Sequence, residues 1–445
     1  MDEVERLIIK TIEENRESIL EFGRDIWRHG ELGYKEYRTS EKFAEHMRKL
    51  QLETQTGLAV TGVKSYLKSR DLSEGPTLAL MGEMDALPIP SHQAANPETG
   101  AAHCCGHHAQ ITALAGAAYA LSLPQVSQML GGNVVFMAVP AEEYIDIGYR
   151  EQLRQEGKIT FGGGKTELLS IGALDDVDMI IGSHMFSRTT VGLSNSSMNG
   201  FVNKIVTFHG KSAHAASEPE KGINALNAAS VMMHAIDAQR ETFRDQDAVR
   251  IHGFFSKGGQ AMNIIADQVV MEYSIRAKTM AAIRDADQKF NRAVEAGATA
   301  LGCWAEIQTV PGYWPLIPAG NTSVMEEAIE LGAGTYPIVH INASIHETAS
   351  SDYGEISQIY PLVQFYTGGL KGALHSAELS VADEEMAYIT SAKIYALAAY
   401  RFLKDEGKEA SAFIKGFCPQ LTKAKFLEEC RRWRSTVRVG TWKSF

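Results

Sequence analysis

The residues whose types and spacing best support chemistry form the hexapeptide His103-Cys104-Cys105-Gly106-His107-His108. Five of these six side chains can bind a metal ion, and the glycine permits a tight turn. Side chains two residues apart in an extended segment lie on the same face, so Cys105 and His107 can reach one ion. Zn²⁺ and similar ions accept both thiolate and imidazole ligands. Cys104 points the opposite way and is expected to pack, whereas His103 and His108 could either orient a ligand or play an ordinary polar role.

A second candidate group is the acidic pair Glu142-Glu143, which follows an apolar run and the dipeptide Pro140-Ala141. One carboxylate can bind a metal, while the other removes a proton from water and later gives it to a leaving amine. Adjacent glutamates are commonly a solvated helix end, but these follow a predicted buried strand. His184 and His375 also follow apolar segments, and His375 has a glycine-rich approach. Together these residue types predict a metal-dependent hydrolase.

The elements that must position these groups are readable from apolar periodicity. Short apolar runs at 77–81, 133–139 and 178–184 predict buried strands, and the alanine-rich segment 111–123 predicts a helix. Residues 1 to about 50 have amphipathic helical spacing throughout. The candidate groups follow the carboxyl ends of successive strands. This pattern predicts an open α/β sheet with a site along that edge.

The pattern changes near residue 195. Strands near 204–208, 248–256, 267–277 and 304–310, with helices near 222–242 and 280–301, give a β-α-β-β-α-β order. That order predicts a small ferredoxin-like domain inserted into the larger one. We therefore expect a catalytic domain at 1–193 and 312–403, an inserted lid or dimerisation domain at 194–311, and a C-terminal extension at 404–445. The extension has aromatic residues that need burial, which predicts packing on the main domain or an oligomer contact.

Composition limits the classes of protein that the chain can belong to. Its 445 residues predict two domains, and 44% hydrophobic and 22% charged residues are normal for a soluble globular protein. The net charge of −11 argues against nucleic acid and anionic membrane as partners. No apolar run is long enough to span a membrane, and the acidic N-terminus is not a signal peptide. Five cysteines, two of them adjacent, argue against a disulfide framework and favour the cytoplasm.

Several motifs together resemble one enzyme superfamily. His-x-Cys-Gly-His occurs at 103–107, Asp-Ala-Leu-Pro at 85–88 and Pro-x-Glu-Glu at 140–143. Gly-x-x-Ala-His-Ala-Ala occurs at 210–216 and Gly-x-Asn-Ala-Leu at 222–226. The chain resembles the aminoacylase/carboxypeptidase superfamily of metal-dependent amidohydrolases, in the branch with hippurate hydrolase, auxin-conjugate hydrolases and p-aminobenzoyl-glutamate hydrolase. The resemblance covers residues from about 20 to about 400. It implies an α/β fold with a di-metal aminopeptidase-like catalytic domain and an inserted ferredoxin-like domain.

The resemblance also implies roles for individual residues. Glu142 looks like the general base and acid, and His214 resembles the residue that polarises the scissile carbonyl, across a dimer interface in some arrangements. Asn263 and Arg276 resemble groups that bind the substrate carboxylate, although Arg276 could equally be a surface strand arginine. Five residues look like the ligands of two divalent ions, with Cys105 bridging them: Cys105, His107, Glu143, His184 and His375. Supporting positions around the ligands are implied for Asp85, His108 and Asp352.

Four departures from the family pattern affect the substrate rather than the reaction class. His108 replaces the usual aspartate, Met185 replaces a proline, Ser376-Ala377 replaces Asn-Pro, and 144–165 lacks a glycine run directly after the glutamates. We expect hydrolysis of the amide C–N bond of a small N-acyl amino acid, aroyl-amino acid or dipeptide. Zn²⁺ or Mn²⁺ is expected, with Co²⁺ or Ni²⁺ possible, in a homodimer or higher homo-oligomer. The alternatives are hydrolysis of an unusual aromatic or non-amino-acid C–N bond, and a non-catalytic metal-binding scaffold.

Overall fold

The computed structural model describes residues 1–68 and 74–440, which divide into two compact units. The first unit comprises residues 1–196, 317–345 and 356–422, and the second comprises 197–316, 346–355 and the chain from 423 on. The second unit therefore interrupts the first, in a region that the sequence places at 194–311. No helix within the described ranges is long and apolar enough to cross a membrane.

A seven-stranded mixed sheet forms the centre of the first unit. Its strand order is β1-β2-β6-β3-β7-β15-β8, and the four strands from β6 to β15 run parallel. The three central strands β3, β6 and β7 are almost wholly buried, as expected for a parallel sheet that is covered on both faces. The strands are β1 (Glu53–Leu58), β2 (Gly62–Tyr66), β3 (Thr77–Glu83), β6 (Asn133–Val139), β7 (Met179–Met185), β8 (Gly192–Leu193) and β15 (Leu362–Thr367).

Helices and two short ribbons complete this unit. The most buried helix is α4, in which nearly every side chain is small or apolar and enclosed. The helices are α1 (Glu3–Glu14), α2 (Arg16–Arg28), α3 (Tyr37–Lys49), α4 (His107–Leu121), α5 (Pro124–Ser127), α6 (Ile147–Gln155), α7 (Gly164–Ser170), α10 (Ser323–Gly332) and α12 (Ser391–Gly416). The ribbons pair β4 (Leu87–Pro88) with β5 (Ala101–Ala102), and β16 (Leu370–Lys371) with β17 (Ser380–Val381).

The N-terminal segment corrects one expectation. Residues 1–50 form three helices rather than one continuous amphipathic helix. Asp2 begins α1 with a capping box, because its side chain accepts from the backbone of Glu5 and the Glu5 side chain accepts in return. The chain turns at Asn15, and residues 29–36 separate α2 from α3. Helical periodicity continues across these breaks because all three helices bury an apolar face against one core.

The second unit contains a five-stranded antiparallel sheet with two long helices. Its first six elements follow the predicted β-α-β-β-α-β order, and its strand order is β11-β12-β10-β13-β18. The elements are β10 (Gly200–His209), α8 (Ala225–Gln239), β11 (Arg250–Lys257), β12 (Gln268–Ala277), α9 (Met280–Leu301), β13 (Trp304–Pro311), α13 (Lys423–Trp433) and β18 (Ser435–Val439). A small ribbon pairs β9 (Ser197–Met198) with β14 (His346–Glu347), and α11 spans Tyr353–Ser357.

The C-terminal extension is not a separate piece, contrary to the division at 404. Helix α12 continues through residue 416, interrupted where Asp405, Glu406 and Gly407 take positive φ angles of 52°, 59° and 70°. Farther on, β18 pairs antiparallel with β13, so the chain end adds a fifth strand to the sheet of the second unit. Phe426 is fully buried there against Trp314, so this aromatic residue packs within the second unit rather than on the expected main domain. Trp442 lies outside the described residues.

Candidate metal centre

The candidate site lies where several parallel strands of the first unit end. Glu83 ends β3, Glu142 and Glu143 follow β6 after two residues, and His184 lies near the end of β7. The carboxyl ends of parallel strands meet at one edge of a sheet, which is why residues distant in sequence converge there. Three predicted ligands, Cys105, His107 and His184, have ligand atoms that all lie within 4.8 Å of one another.

A second group of three donors shares a residue with the first. Cys105, Glu143 and His375 also present ligand atoms within 4.8 Å of one another. The Cys105 Sγ atom lies 3.5 Å from Nε2 of His184 and 3.3 Å from Nε2 of His375. Nε2 of His375 is in turn 3.1 Å from Oε1 of Glu143. The geometry thus brings all five sequence-predicted ligands together as two triads that meet at one thiol.

Neighbouring groups orient the imidazole rings. Nδ1 of His107 lies 2.9 Å from the Asp85 backbone carbonyl and 3.1 Å from its carboxylate, so Nδ1 carries the proton. Nδ1 of His184 lies 2.8 Å from the carbonyl of Met185 and is likewise a donor. In both rings the donating Nδ1 leaves Nε2 as the nitrogen that can bind a metal once it carries no proton, which is the arrangement in which a hydrogen-bonded histidine binds a metal. Both Nε2 atoms belong to the first triad.

Two buried polar atoms at this edge, one from each triad, make no well-oriented hydrogen bond to another described residue. They are Nε2 of His107, although Oε2 of Glu83 is 3.2 Å away, and Oε1 of Glu143, although Nε2 of His375 is 3.1 Å away. Buried polar atoms that make no hydrogen bond are uncommon in folded proteins, and a bound ion is one of their ordinary explanations. The thiol, imidazole and carboxylate donors suit Zn²⁺ and similar ions. On these two observations, the residues present fit a pair of divalent cations.

Asp85 connects the two triads. Its Oδ1 accepts from His107, and its Oδ2 accepts the backbone N–H of Glu143 at 2.8 Å. The residue is completely buried, and the positive charge of His107 helps to keep its pKa below the ordinary value although burial acts in the opposite direction. An ionised Asp85 therefore fixes one ligand ring and the backbone of a second ligand, which fits the supporting role expected for it.

Glu83 is a site residue that sequence reasoning missed. Its Oε2 lies 3.2 Å from Nε2 of His107, and it forms a third donor group with His107 and Glu142. Lys165 donates to its other oxygen at 2.6 Å, and the amide of Gln110 donates to Oε2 at 2.8 Å. The sequence signal that could have identified Glu83 is its position at the end of a predicted strand, two residues before Asp85.

The electrostatics of the triads depend on burial and on mutual charge. Burial lowers the pKa of His184 to about 4, so this ring is neutral at neutral pH. Burial raises the pKa of the Cys105 thiol well above its ordinary value. For His107, burial acts to lower the pKa, but the charge of Glu83 and the hydrogen bond to Asp85 help to outweigh it and raise the pKa. A cation that binds here must therefore displace protons, most of all from the thiol.

His108, proposed from the sequence as a possible supporting residue, lies in a different environment. Its ring packs against Trp27, His103 and Tyr388, with ring centroids 4.7, 5.3 and 5.7 Å away. Neither ring nitrogen of His108 or of His103 has a hydrogen-bond partner within the described part of the chain. The structure thus gives no hydrogen bond from either ring to a candidate ligand.

Four predicted site residues belong to the second unit. His214 is exposed, and its Nδ1 accepts from the backbone N–H groups of Ala216 at 3.2 Å and Ser217 at 3.1 Å. The remaining nitrogen, Nε2, therefore carries the proton and is a donor. The strand-like segments of His214 and Asn263 are neighbours, since the backbone N–H of Ala215 donates to the Asn263 carbonyl at 3.0 Å.

Arg276 and Asp352 complete that set. Arg276 is half-buried on β12, donates to the Ser350 hydroxyl at 3.0 Å and covers the Phe201 ring at 4.9 Å. It is therefore more enclosed than a surface strand arginine. Asp352 is fully buried directly before α11. Its supporting role stays a prediction, as do the substrate-binding roles of Asn263 and Arg276.

Comparison with known proteins adds an independent line of evidence. The family model of the peptidase dimerisation domain of the M20 type matches residues 197–300. The chain is 25% identical over 384 residues to a mouse Xaa-Arg dipeptidase, covering 82% of this chain and 80% of the relative. It is 29% identical over 302 residues to the N-acetyl-L-cysteine deacetylase of Bacillus subtilis, covering 66% and 67%.

A solved structure has the same fold. The dinuclear metal-binding peptidase of the M20 family from Bacillus subtilis superposes with a TM-score of 0.66 at 23% identity, covering 88% of this chain and 99% of that one. The expected α/β fold with an inserted dimerisation domain is confirmed. These comparisons also confirm the resemblance found in the motifs: the chain is related to the superfamily of metal-dependent amidohydrolases, and its enzyme class is that of a metal-dependent C–N hydrolase.

Proposed function

We propose that this protein hydrolyses the amide bond of a small N-acyl amino acid, aroyl-amino acid or dipeptide. The observation that carries the proposal is the pair of donor triads sharing Cys105, with the Glu142 carboxylate beside them. Oε2 of Glu142 lies 3.9 Å from Nε2 of His107, and the residue is largely buried. A carboxylate so close to a candidate metal site, and outside both triads, is positioned for proton transfer.

The ligand assignment follows the triads. Cys105, His107 and His184 would hold one ion, and Cys105, Glu143 and His375 the other. When bound, such ions supply Lewis acidity that polarises a carbonyl and eases ionisation of a water molecule. The soft thiol and three imidazoles favour Zn²⁺, with Mn²⁺ next and Co²⁺ or Ni²⁺ as further candidates, because metal supply can override intrinsic preference.

The remaining chemistry belongs to the side chains. Glu142 accepts the proton of the attacking water and donates it to the leaving amine nitrogen, so one residue acts first as base and then as acid. Asp85 holds the His107 ring and the Glu143 backbone in place throughout. His214 donates from Nε2 to the oxygen of the scissile carbonyl, which gains negative charge as the tetrahedral intermediate forms.

The substrate class rests on the relatives and on two side chains of the second unit. A dipeptidase and an N-acetyl amino acid deacetylase both cleave an amide whose nitrogen belongs to an amino acid. Such a substrate leaves a free carboxylate that Arg276 and Asn263 can bind, the arginine by charge-assisted hydrogen bonds. Hydrolysis of a C–N bond in a molecule without a carboxylate is the alternative, and it predicts that Arg276→Ala changes turnover little.

The partner we propose is a second copy of this chain. β18 covers one edge of the second unit's sheet, whereas β11 lies at the other edge of the described sheet. Large apolar side chains are exposed on β11 and on α8, among them Phe254 (59% exposed) and Met233 (37%). An open edge strand with an apolar face readily pairs with another chain. We also propose the cytoplasm as the compartment, because all five cysteines are unpaired.

The test compares Glu142→Gln with wild type after loading with Zn²⁺ or Mn²⁺. We expect turnover of N-acyl amino acids, aroyl-glutamates and dipeptides to fall by about 10²–10⁴-fold, because the general base is lost. Metal content should stay the same, since Glu142 belongs to neither triad. Glu156→Gln is the matched control, because Glu156 is exposed near the end of α6. Equal turnover in the two variants would contradict the role of Glu142, and no turnover of any of these amides by the loaded wild type would support a metal-binding scaffold.

A further inference from the structure

The segment that directly follows the glutamate pair departs from the family pattern. Its two ends lie next to each other in the structure. Residues 144–161 include α6 and end at a glycine run, Gly162-Gly163-Gly164. The backbone N–H of Gly164 donates to the Ala141 carbonyl at 3.3 Å, so the two ends of the excursion meet. A side chain at Gly164 would collide with the Pro140 carbonyl oxygen, at 1.7 Å. The excursion is therefore closed directly beside Glu142.

Arg150, on α6, joins both ends of this excursion. Its guanidinium is buried and donates to four backbone carbonyls. Nε donates to Ile145 at 2.7 Å, and the terminal nitrogens donate to Ala141, Glu143 and Gly162. Its planar fork is also within 5.2 Å of the Tyr34 ring and 5.0 Å of the Tyr144 ring. A rigid fork of five donors is suited to holding several carbonyls at once.

The backbone that Arg150 holds is irregular and needs support. Ala141, immediately before the glutamates, has a φ of 54°, and Asp146 has a φ of 50°. Residues with side chains take this left-handed conformation at an energetic cost, and surrounding contacts must maintain it. No helix or strand covers residues 140–146. Hydrogen bonds to this stretch therefore set where its side chains project.

The amide side of the same stretch is held by buried carboxylates. Glu36 accepts the backbone N–H of Ala141 at 2.8 Å, and Asp85 accepts that of Glu143 at 2.8 Å. Glu36 is in turn fixed by the Thr61 hydroxyl at 2.6 Å. Glu142 thus lies between Ala141 and Glu143. The N–H groups of these two residues donate to acidic side chains, and their carbonyls accept from Arg150.

We propose that Arg150 is a positioning residue for Glu142 and Glu143. It acts through the backbone: its donors fix the carbonyls on either side of Glu142, and so fix the direction of the general base and of one metal ligand. The kinetic part of this inference rests on the proposed function, whereas its effect on the Glu143 metal site does not.

The test uses Arg150→Gln and Arg150→Lys, with Arg154→Gln as the matched control. Arg154 lies one turn farther along α6 and pairs with Glu151 at 2.7 Å. We expect Arg150→Gln to lower kcat by about 10- to 100-fold with KM little changed, the range seen when supporting contacts of a metal site are lost. Zn²⁺ titration of metal-free protein by calorimetry should show one of two sites weakened by about the same factor.

Arg150→Lys should recover part of both losses, because one ammonium can donate to some of the four carbonyls. If Arg150→Gln does not fold, judged by near-ultraviolet circular dichroism, the lysine variant alone carries the test. A lower melting temperature with wild-type kcat and two wild-type Zn²⁺ affinities would overturn the inference. If wild type hydrolyses no substrate, the proposed function fails, and the titration still decides the role of Arg150.

Discussion

At the scale of single residues, one backbone turn lets Cys105 belong to both donor triads. Gly106 takes a φ of 95°, which residues with a side chain rarely adopt. A Cβ at that position would also lie 3.2 Å from Leu370 and Met185 side-chain atoms. The turn brings the chain into α4, so that His107 becomes its first residue while Cys105 still faces the sheet edge. A shared thiol makes the two proposed metal sites interdependent.

Metal stoichiometry tests this sharing. We expect about two Zn²⁺ per wild-type chain, about one in His375→Ala, and nearly none in Cys105→Ser, because a serine hydroxyl stays protonated and replaces a ligand of both triads. Elemental analysis after dialysis measures the content. Cys418→Ser, which changes an exposed cysteine, should bind as wild type does. One ion retained in Cys105→Ser would show that the thiol belongs to a single site.

His103 and His108 form a buried pair beside the triads. Burial lowers the pKa of His103 to about 3, and that of His108 well below its ordinary value. The unfolded chain binds protons on these residues near pH 6.5, whereas the folded chain does not until much lower pH. Between these values the unfolded state binds more protons, so the free energy of unfolding falls as the pH falls from about 6.5 toward 3.

His103→Gln should therefore reduce the acid sensitivity of the metal-free protein. Between pH 7.5 and pH 5, we expect its loss of unfolding free energy to be about 2 kcal/mol smaller than that of wild type, since one pH unit corresponds to about 1.4 kcal/mol per proton. Urea unfolding in the presence of a chelator measures this difference. His234→Gln, at an exposed position of α8, is the control. Parallel pH dependences in wild type and His103→Gln would contradict the prediction.

At the scale of elements, the packing of α4 against α12 holds in place the helix that carries the predicted ligand His107. α4 starts with a predicted ligand and is buried along its length. At Gly116 the two helices approach so closely that an added Cβ would lie 2.7 Å from the Cβ of Ala392 and 3.2 Å from Ile19. The side chain of Ala392 is a single methyl group fixed to the backbone of α12, so it cannot rotate away from an added Cβ.

Gly116→Ala should consequently destabilise the protein although alanine favours helices. The helix preference contributes about 1 kcal/mol in favour of alanine, and overpacking of a dense core costs about 1–3 kcal/mol. We expect a net loss in urea-induced unfolding, with weaker metal retention. Gly416, which ends α12 in open space, provides the control substitution Gly416→Ala. A gain in stability in both variants would show that the helices can separate slightly at no cost.

At the scale of the whole molecule, both compact units are discontinuous in sequence. The chain leaves the first unit near residue 197, returns near 317, and contributes its final strand to the second unit. β18 thereby covers the β13 edge, and three arginines, Arg431, Arg432 and Arg434, precede it. The β11 edge, with its exposed phenylalanines, is the better candidate for self-association.

Charged substitutions on β11 and on α8 should separate the proposed dimer. Phe254→Lys combined with Met233→Lys places two charges on exposed apolar positions, and lysine is an effective guard of edge strands. We expect the mass measured by light scattering to halve. Turnover should fall as well if His214 acts from the second copy. Val437→Lys, at a 49% exposed position on β18, should leave both properties unchanged. A wild-type mass in the double variant would place the interface elsewhere.

Much of the secondary structure could be predicted because its signals are local. The strand expected at 133–139 is β6, and the helix expected at 280–301 is α9, with the same bounds. Continuous apolar runs and regular helical spacing encode such elements over a few turns of chain. The break near Asn15 was missed because the apolar spacing continues across it, whereas Gly30 and Gly33 were a local signal for the break at 29–36 that the helical interpretation did not use.

The sequence by itself determined which residue types could reach the sheet edge. Strand ends and two-residue spacings follow from backbone geometry, so the candidate side chains could be named without a structure, and the family resemblance implied which of them are ligands and that Glu142 is the base. Only the tertiary structure decided which side chains from distant parts of the chain are in contact. It brought His375 to Cys105 across 270 positions, Lys165 to Glu83 across 82, and Arg150 to the carbonyls around Glu142. Such pairings depend on how whole elements pack, and no local spacing specifies them.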